Sequence, residues 1–380
     1  KYAKHAKIRL GYFSPDFRPH PLSYLTVDLF EKHDRSKFEI FAFYYGNDSN
    51  SNTYRRIKWG FDRFFDVGDR SDKDVAEFAR ENEIDIAIDL CGYTRHGRSG
   101  IFSFRAAPIQ INFLGFGGTM GADFIDYIIA DRIVIDETMR RFYAEKIAYL
   151  PYTYYPTSYH ADIFATDRQF KREEVGLPDG SFVFCCFNGN YKLTPRMFDS
   201  WMNILRSVEG SLLWLLPNNT AAAINLRKEA NKRGVDDKRL IFASRMPLAE
   251  HIARYKLADL FLDTIPYNAH TTASDALWAG LPVLTQIGDT FAGRVAASLL
   301  TAVGLPELIT DSAVEYETLA VELAKHPERL AGIKTKLAAN RLTTPLFDTD
   351  LFTKKLETAY TAMYERYHTD LPPDHIFVEP

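Results

Sequence analysis

The residues whose types and spacing best suit chemistry lie in the stretch from Asp259 to Thr285. Its apolar run Leu260 to Leu262 reads as a buried strand, Pro266 to His270 as a turn, and Thr271 to Ala279 as a helix stopped by Gly280, with Pro282 opening the next strand. Thr272 and Asp275 stand in the T-x-x-D relation of a capping box. In such a β-α-β unit the helix N-terminus aims unpaired N–H groups and partial positive charge at the carboxyl end of the strand, where open α/β sheets bind phosphate. Thr271 and Thr272 would add hydroxyl donors, His270 would sit at the mouth, and Asp275, one turn in, could accept from ribose hydroxyls. An ordinary capped helix has the same spacing.

Three other groups belong with this one. Strand Phe182 to Phe187 runs into Asn188-Gly189-Asn190-Tyr191-Lys192, and Thr194 then caps a helix with Pro195 at its first position, so Lys192 falls where it could balance a phosphate. Strand Lys7 to Phe13 breaks at Ser14 to Pro21, a stiff loop of three prolines carrying His20. Strands Ile84 to Leu90 and Ile109 to Leu114 each end in a glycine-rich loop, Cys91 to Gly100 with two arginines and Gly115 to Ala122 with four glycines. Loops of this kind let a ligand approach the backbone, although neither fits G-x-G-x-x-G.

These groups need a frame, and the chain supplies one in two sets of alternating strands and helices. The fold class is α/β, with two Rossmann-like, doubly wound domains. The expected boundaries are 1–160 for the first lobe, 161–180 for a charged, irregular connection, 181–345 for the second lobe, and 346–380 for a C-terminal helix and tail. The helix from Asp348 to Tyr367 follows a break at Thr343-Thr344-Pro345 and is expected to return to the first lobe. Ser23 is the expected cap of the first helix, running through Leu29, and Ser71 that of a helix ending near Asn82.

With 380 residues the chain exceeds one typical core, and 46% hydrophobic content excludes a disordered protein. A net charge of −4 gives no basic footprint for nucleic acid. No run reaches the roughly 20 apolar residues of a membrane span. The three cysteines, Cys91, Cys185 and Cys186, have neither metal-ligand nor disulfide spacing, which suits a reducing, cytoplasmic setting. Lys1 lacks a start Met and a signal peptide, so it reads as a cut end.

Six motifs in order carry a resemblance: Ser14 to Pro21, Gly92-Tyr93-Thr94, Pro108 to Gly115, Gly118 to Ala122, Cys185 to Lys192, and His270 to Asp275. Over nearly the whole chain the sequence resembles the catalytic region of the O-linked N-acetylglucosamine transferase family. The resemblance implies a GT-B glycosyltransferase, metal-independent and inverting, with a UDP-sugar donor on the second lobe and a protein or peptide acceptor. No cofactor is implied. Two Asp-x-Asp runs, Asp72 to Asp74 and Asp348 to Asp350, fall at helix starts and read as caps rather than metal ligands.

By similarity Lys192, His270, Thr271 and Thr272 grip the departing diphosphate, Asp275 takes the ribose, and His251, Leu216 and Met246 belong to the donor site. His20, Thr94, Leu114, Gly115 and Gly117 lie on the sugar and acceptor side, with His20 the side chain of suitable pKa to deprotonate the acceptor. Departures at Gly189, Gly117 and Leu248, where the family often has Gln, Pro and Lys, leave other readings open. These are an O-fucosyl or other hexosyl transferase, a non-catalytic nucleotide- or protein-binding module, and a sugar-nucleotide epimerase. The helical repeats usual in the family are expected, if anywhere, before Lys1. The large insertion of animal members is absent, so a bacterial-type member is expected.

Overall fold

The computed structural model describes residues 2–47, 50–159 and 166–380. Two compact units emerge, one formed by the chain up to Tyr159 together with Pro345–Pro380, the other by the residues between. Residues 161–165 of the expected connection lie outside the described residues, as does Lys1.

The first unit alternates β1 (Ile8–Ser14), α1 (Pro21–Lys32), β2 (Phe38–Tyr44), α2 (Asn52–Trp59), β3 (Arg63–Asp66), α3 (Asp72–Glu81), β4 (Ile86–Asp89), α4 (Gly100–Ser103), β5 (Ile109–Asn112), β6 (Tyr127–Asp131) and β7 (Lys146–Leu150). The second runs β8 (Val183–Cys186), α5 (Pro195–Ser207), β9 (Leu212–Leu215), α6 (Thr220–Lys232), β10 (Leu240–Phe242), α7 (Leu248–Ala253), β11 (Leu260–Leu262), α8 (Thr271–Ala279), β12 (Val283–Gln286), α9 (Val295–Ala302), β13 (Ile309–Thr310), α10 (Ala313–Lys325) and α11 (Pro327–Asn340). The chain then gives α12 (Thr349–His368) and β14 (Ile376–Phe377) to the first unit.

Every strand pair is parallel, and the orders are β14-β7-β6-β5-β4-β1-β2-β3 and β10-β9-β8-β11-β12-β13. The strand order of each sheet reverses once, between β1 and β4 and between β8 and β11. Those are the topological switch points outside which such sheets bind ligands. The central strands are buried on both faces, as helix-covered parallel sheets require; β8 and β9 are buried throughout.

In the first unit α12 covers α1. Its Glu357 carboxylate accepts from His33 Nδ1 at 2.9 Å and from the Asp34 amide at 2.8 Å, and Tyr360 meets Tyr12, both buried. Asp348 caps α12 by accepting from Leu351 N at 2.9 Å, and Ser71 and Asp74 form a reciprocal capping box on α3, so both Asp-x-Asp runs serve as caps.

Two expected caps are corrected. α1 starts at Pro21 rather than near Ser23 and runs to Lys32, because Pro21 at the first position needs no N–H partner and His20 takes the cap. Ser23 donates instead to the Asp16 carbonyl. Thr272 is not the cap of α8: the N-cap is His270, without a side-chain cap bond, and the Thr272 hydroxyl donates to Asn188 Oδ1.

Candidate active site

In the second unit the site is built on the ends of β8 and β11, the two strands flanking the switch point. Lys192 closes a single helical turn, Asn190–Lys192, just beyond β8. Its Nζ donates to the Asn268 carbonyl at 2.7 Å and lies 4.1 Å from the centroid of the Tyr267 ring. Burial, against the opposing pull of Asp263, lowers its pKa to about 8. The loop that receives it is organised by Asp263, the residue after β11. The Asp263 carboxylate accepts from Thr264 N at 2.7 Å, Ala269 N at 2.5 Å and Thr285 Oγ1 at 2.7 Å, while burial raises its pKa to about 6. Sequence reasoning missed Asp263, although an acid directly after a buried apolar run was a signal.

Asn188 joins three elements: its amide donates to Thr264 Oγ1 at 2.8 Å and its carbonyl accepts from Thr272 in α8. Lys192, Thr272 and the start of α8 are thereby held at one edge, with Leu216 lining a small cavity beside Asn188 and Thr264. Thr271 is the first residue of α8, and Asp275, buried, lies one turn on. His270 uses Nε2–H to reach the Ala292 carbonyl at 3.2 Å, and burial and then Lys192 lower its pKa to about 3. It is therefore neutral, so the positive charge at this edge comes from Lys192 and the helix start.

His251 sits on α7, its ring 5.3 Å from Phe187 and 5.2 Å from Tyr255. The buried Arg254 guanidinium donates to His251 Nδ1 and, at 2.5 Å, to the Ser244 carbonyl, and stacks 4.6 Å from Phe187. Because Nδ1 accepts, Nε2 carries the proton, and burial with Arg254 and Arg245 lowers the pKa to about 3. His251 thus offers one fixed donor. Arg254 was also missed, being one more arginine in a helical run. Met246, half-buried, follows β10, two strands from the switch, and no side-chain bond ties it to Lys192. Gly189 admits the Tyr191 ring: a Cβ there would stand 2.6 Å from it.

In the first unit the residues expected on the sugar and acceptor side gather at the ends of β1, β4 and β5. His20 Nδ1 accepts from Leu22 N at 3.3 Å and lies 3.7 Å from Asp16 Oδ2. Burial lowers its pKa, with Asp16 opposing and Arg18 assisting. In this arrangement Nε2 carries the proton and is a donor; it becomes a proton acceptor only if the proton moves to Nδ1, toward Asp16. Thr94 donates to the Cys91 carbonyl at 2.8 Å in a loop whose start is fixed by Asp89, which accepts from Cys91 N and Gly92 N, each at 2.9 Å. Leu114 has φ of 71°, a conformation Leu rarely adopts, and a Cβ on Gly115 would stand 2.1 Å from the Leu90 carbonyl oxygen. Asn112 secures the following turn, which contains Gly117, through the Gly118 carbonyl at 3.1 Å.

The profile of Glycosyl transferase family 41 matches residues 1–170 and 169–356. The chain belongs to glycosyltransferase family 41. Among relatives of this family-41 chain, a probable UDP-N-acetylglucosamine–peptide N-acetylglucosaminyltransferase of Arabidopsis thaliana is 39% identical over 376 residues, covering 98% of this chain and 38% of that protein. A UDP-N-acetylglucosamine–peptide N-acetylglucosaminyltransferase of Caenorhabditis elegans is 28% identical over 480 residues, covering 97% of this chain and 42% of that protein. The chain thus spans well under half the length of these relatives. The solved O-GlcNAc transferase of Thermobaculum terrenum, a lysine-to-methionine variant, superposes with a TM-score of 0.88 at 30% identity, covering 96% of this chain and 69% of that one. The two Rossmann-like units are those of the GT-B fold.

Proposed function

We propose that this chain is an inverting, metal-independent glycosyltransferase that moves N-acetylglucosamine from UDP-N-acetylglucosamine to serine or threonine of protein acceptors. The observation that carries the reading is Lys192 poised beside the start of α8 at the second unit's switch point. The names of the Arabidopsis and nematode relatives support the donor and acceptor classes. Three free, buried cysteines accord with a cytoplasmic setting.

In the reaction the acceptor hydroxyl oxygen bonds to the anomeric carbon as the bond to the diphosphate oxygen breaks on the opposite face, yielding UDP and a proton. Negative charge grows on the diphosphate, and Lys192 with the Thr271 and Thr272 helix start meets it. Asp275 takes the ribose, His251 offers its Nε2–H to a base carbonyl, and Leu216 and Met246 flank the donor. His20, Thr94, Leu114, Gly115 and Gly117 face the sugar and acceptor. His20 receives the proton in the tautomer that places its own proton on Nδ1.

Incubation with UDP-N-acetylglucosamine and a peptide mixture, read by mass spectrometry, tests this. A mass gain of one N-acetylhexosamine on Ser/Thr peptides, lost in Lys192→Ala, is expected. Donor turnover without any modified peptide would overturn the acceptor assignment.

A further inference from the structure

The first unit holds a second basin at the same sheet edge, about 510 Å³, between Arg18, Tyr45, Gly46, Arg95 and His96. These residues follow β1, β2 and β4, which are neighbours in the sheet. Among the described residues the basin's character is cationic. Arg18 is balanced by Asp16 at 2.8 Å, but Arg95 and His96 have no ion pair among the described residues. Neither residue is needed to hold the loop. That task falls to Arg98, whose guanidinium donates to Asp72 at 2.7 Å and to the Arg70 carbonyl at 2.7 Å while lying 5.3 Å from the Tyr45 ring.

The backbone marks the basin as built rather than incidental. Tyr45, 8% exposed, is one of the lining residues, its hydroxyl buried. His96 holds φ of 69°, and Gly46 lies so close that a Cβ would stand 2.2 Å from the Pro15 carbonyl oxygen; the backbone is drawn in around this space.

We propose that this basin is an anion subsite for the acceptor polypeptide, taking a carboxylate or phosphate side chain near the modified serine or threonine. The proposal rests on the transferase reading, because it depends on the adjoining Thr94 loop facing the acceptor. Arg95 and His96 follow Thr94 directly and would pair with the anion. The donor's own phosphates are assigned to the second unit, and the basin's size suits a side chain carried on an extended peptide.

Fluorescence anisotropy on the whole chain tests it, with a neutral Ser-containing peptide and derivatives carrying one Asp or one phosphoserine at successive positions on either side. One register should bind about fivefold tighter than the neutral parent, the scale of one exposed charge pair. The preference should vanish in Arg95→Glu, with UDP affinity by calorimetry unchanged. The Asp and phosphoserine series tell which anion the subsite takes. No preferred register, no peptide binding, or a preference that survives Arg95→Glu overturns the subsite. Failure to bind UDP in the wild-type chain would instead overturn the transferase reading.

Discussion

Lys192 Nζ rests on the Asn268 carbonyl at 2.7 Å, in a loop whose shape is set by the buried carboxylate of Asp263. An ammonium so placed is desolvated, and its pKa falls to about 8. The positive charge assigned to the leaving diphosphate is therefore titratable near neutral pH. The logarithm of kcat/KM should fall as pH rises through about 8, when the free enzyme loses this proton. Asp263 opposes the shift, so Asp263→Asn, which keeps the size of the side chain, should move that limb to lower pH. A limb unmoved by Asp263→Asn would break the electrostatic link.

Lys192→Ala should remove about 3 kcal/mol or more of transition-state stabilisation, the scale of losing one preorganised donor to developing charge. UDP affinity should fall by less, since ground-state diphosphate keeps the start of α8. Steady-state kinetics beside calorimetry check this; equal losses in both would make Lys192 a binding residue only.

The sequence made the frame legible because parallel strands buried on both faces read as short apolar runs, and because Thr194-Pro195 and Ser71 to Asp74 are strong helix starts. Local patterns misled where a tertiary partner competed. Thr272 has the spacing of a cap, but Asn188, eighty-four residues away, claims its hydroxyl. Other elements bury few residues, set among polar and charged neighbours. α2 buries only Tyr54 and Ile57, α11 only Leu330, Ile333 and Leu337, and β14 is two residues long. Asp263 and Arg254 were hidden for another reason: their roles consist of bonds to backbone groups and to a histidine that only the fold brings near.

His20 caps α1 and is the proposed base, and two substitutions separate the cap from the proposed chemistry. His20→Ala should cost about 1 kcal/mol through loss of the α1 cap, whereas Asn is itself a good cap. His20→Asn should thus keep the wild-type melting temperature while losing transfer, with UDP affinity nearly intact because the residue belongs to the first unit. Transfer at the wild-type rate in His20→Asn would remove His20 from the chemistry.

Arg254 fixes the tautomer of His251. Arg254→Leu should weaken UDP binding, because His251 is then free to place its proton on either nitrogen, while Arg254→Gln, which retains a donor, should bind better than Arg254→Leu. Calorimetry on the two variants decides it; identical affinities would leave Arg254 a packing residue.

Glu357 anchors α12 to α1 through His33 and the Asp34 amide. Glu357→Gln should cost about 1–3 kcal/mol, seen as a lower melting temperature. Burial lowers the pKa of His33 below its usual 6.5. The unfolded chain then binds a proton that the folded one refuses, so this group's share of stability is lost as pH falls below about 6.5. Thermal melts across that window measure it, and a His33→Asn chain should lose less stability over the same range.

The most direct test of the central claim, that the edge formed by Lys192, α8 and His251 grips a uridine diphosphate sugar, is calorimetric titration of the intact chain with UDP and with GDP. UDP should bind, and more tightly than GDP. Tighter GDP binding would contradict the uridine assignment.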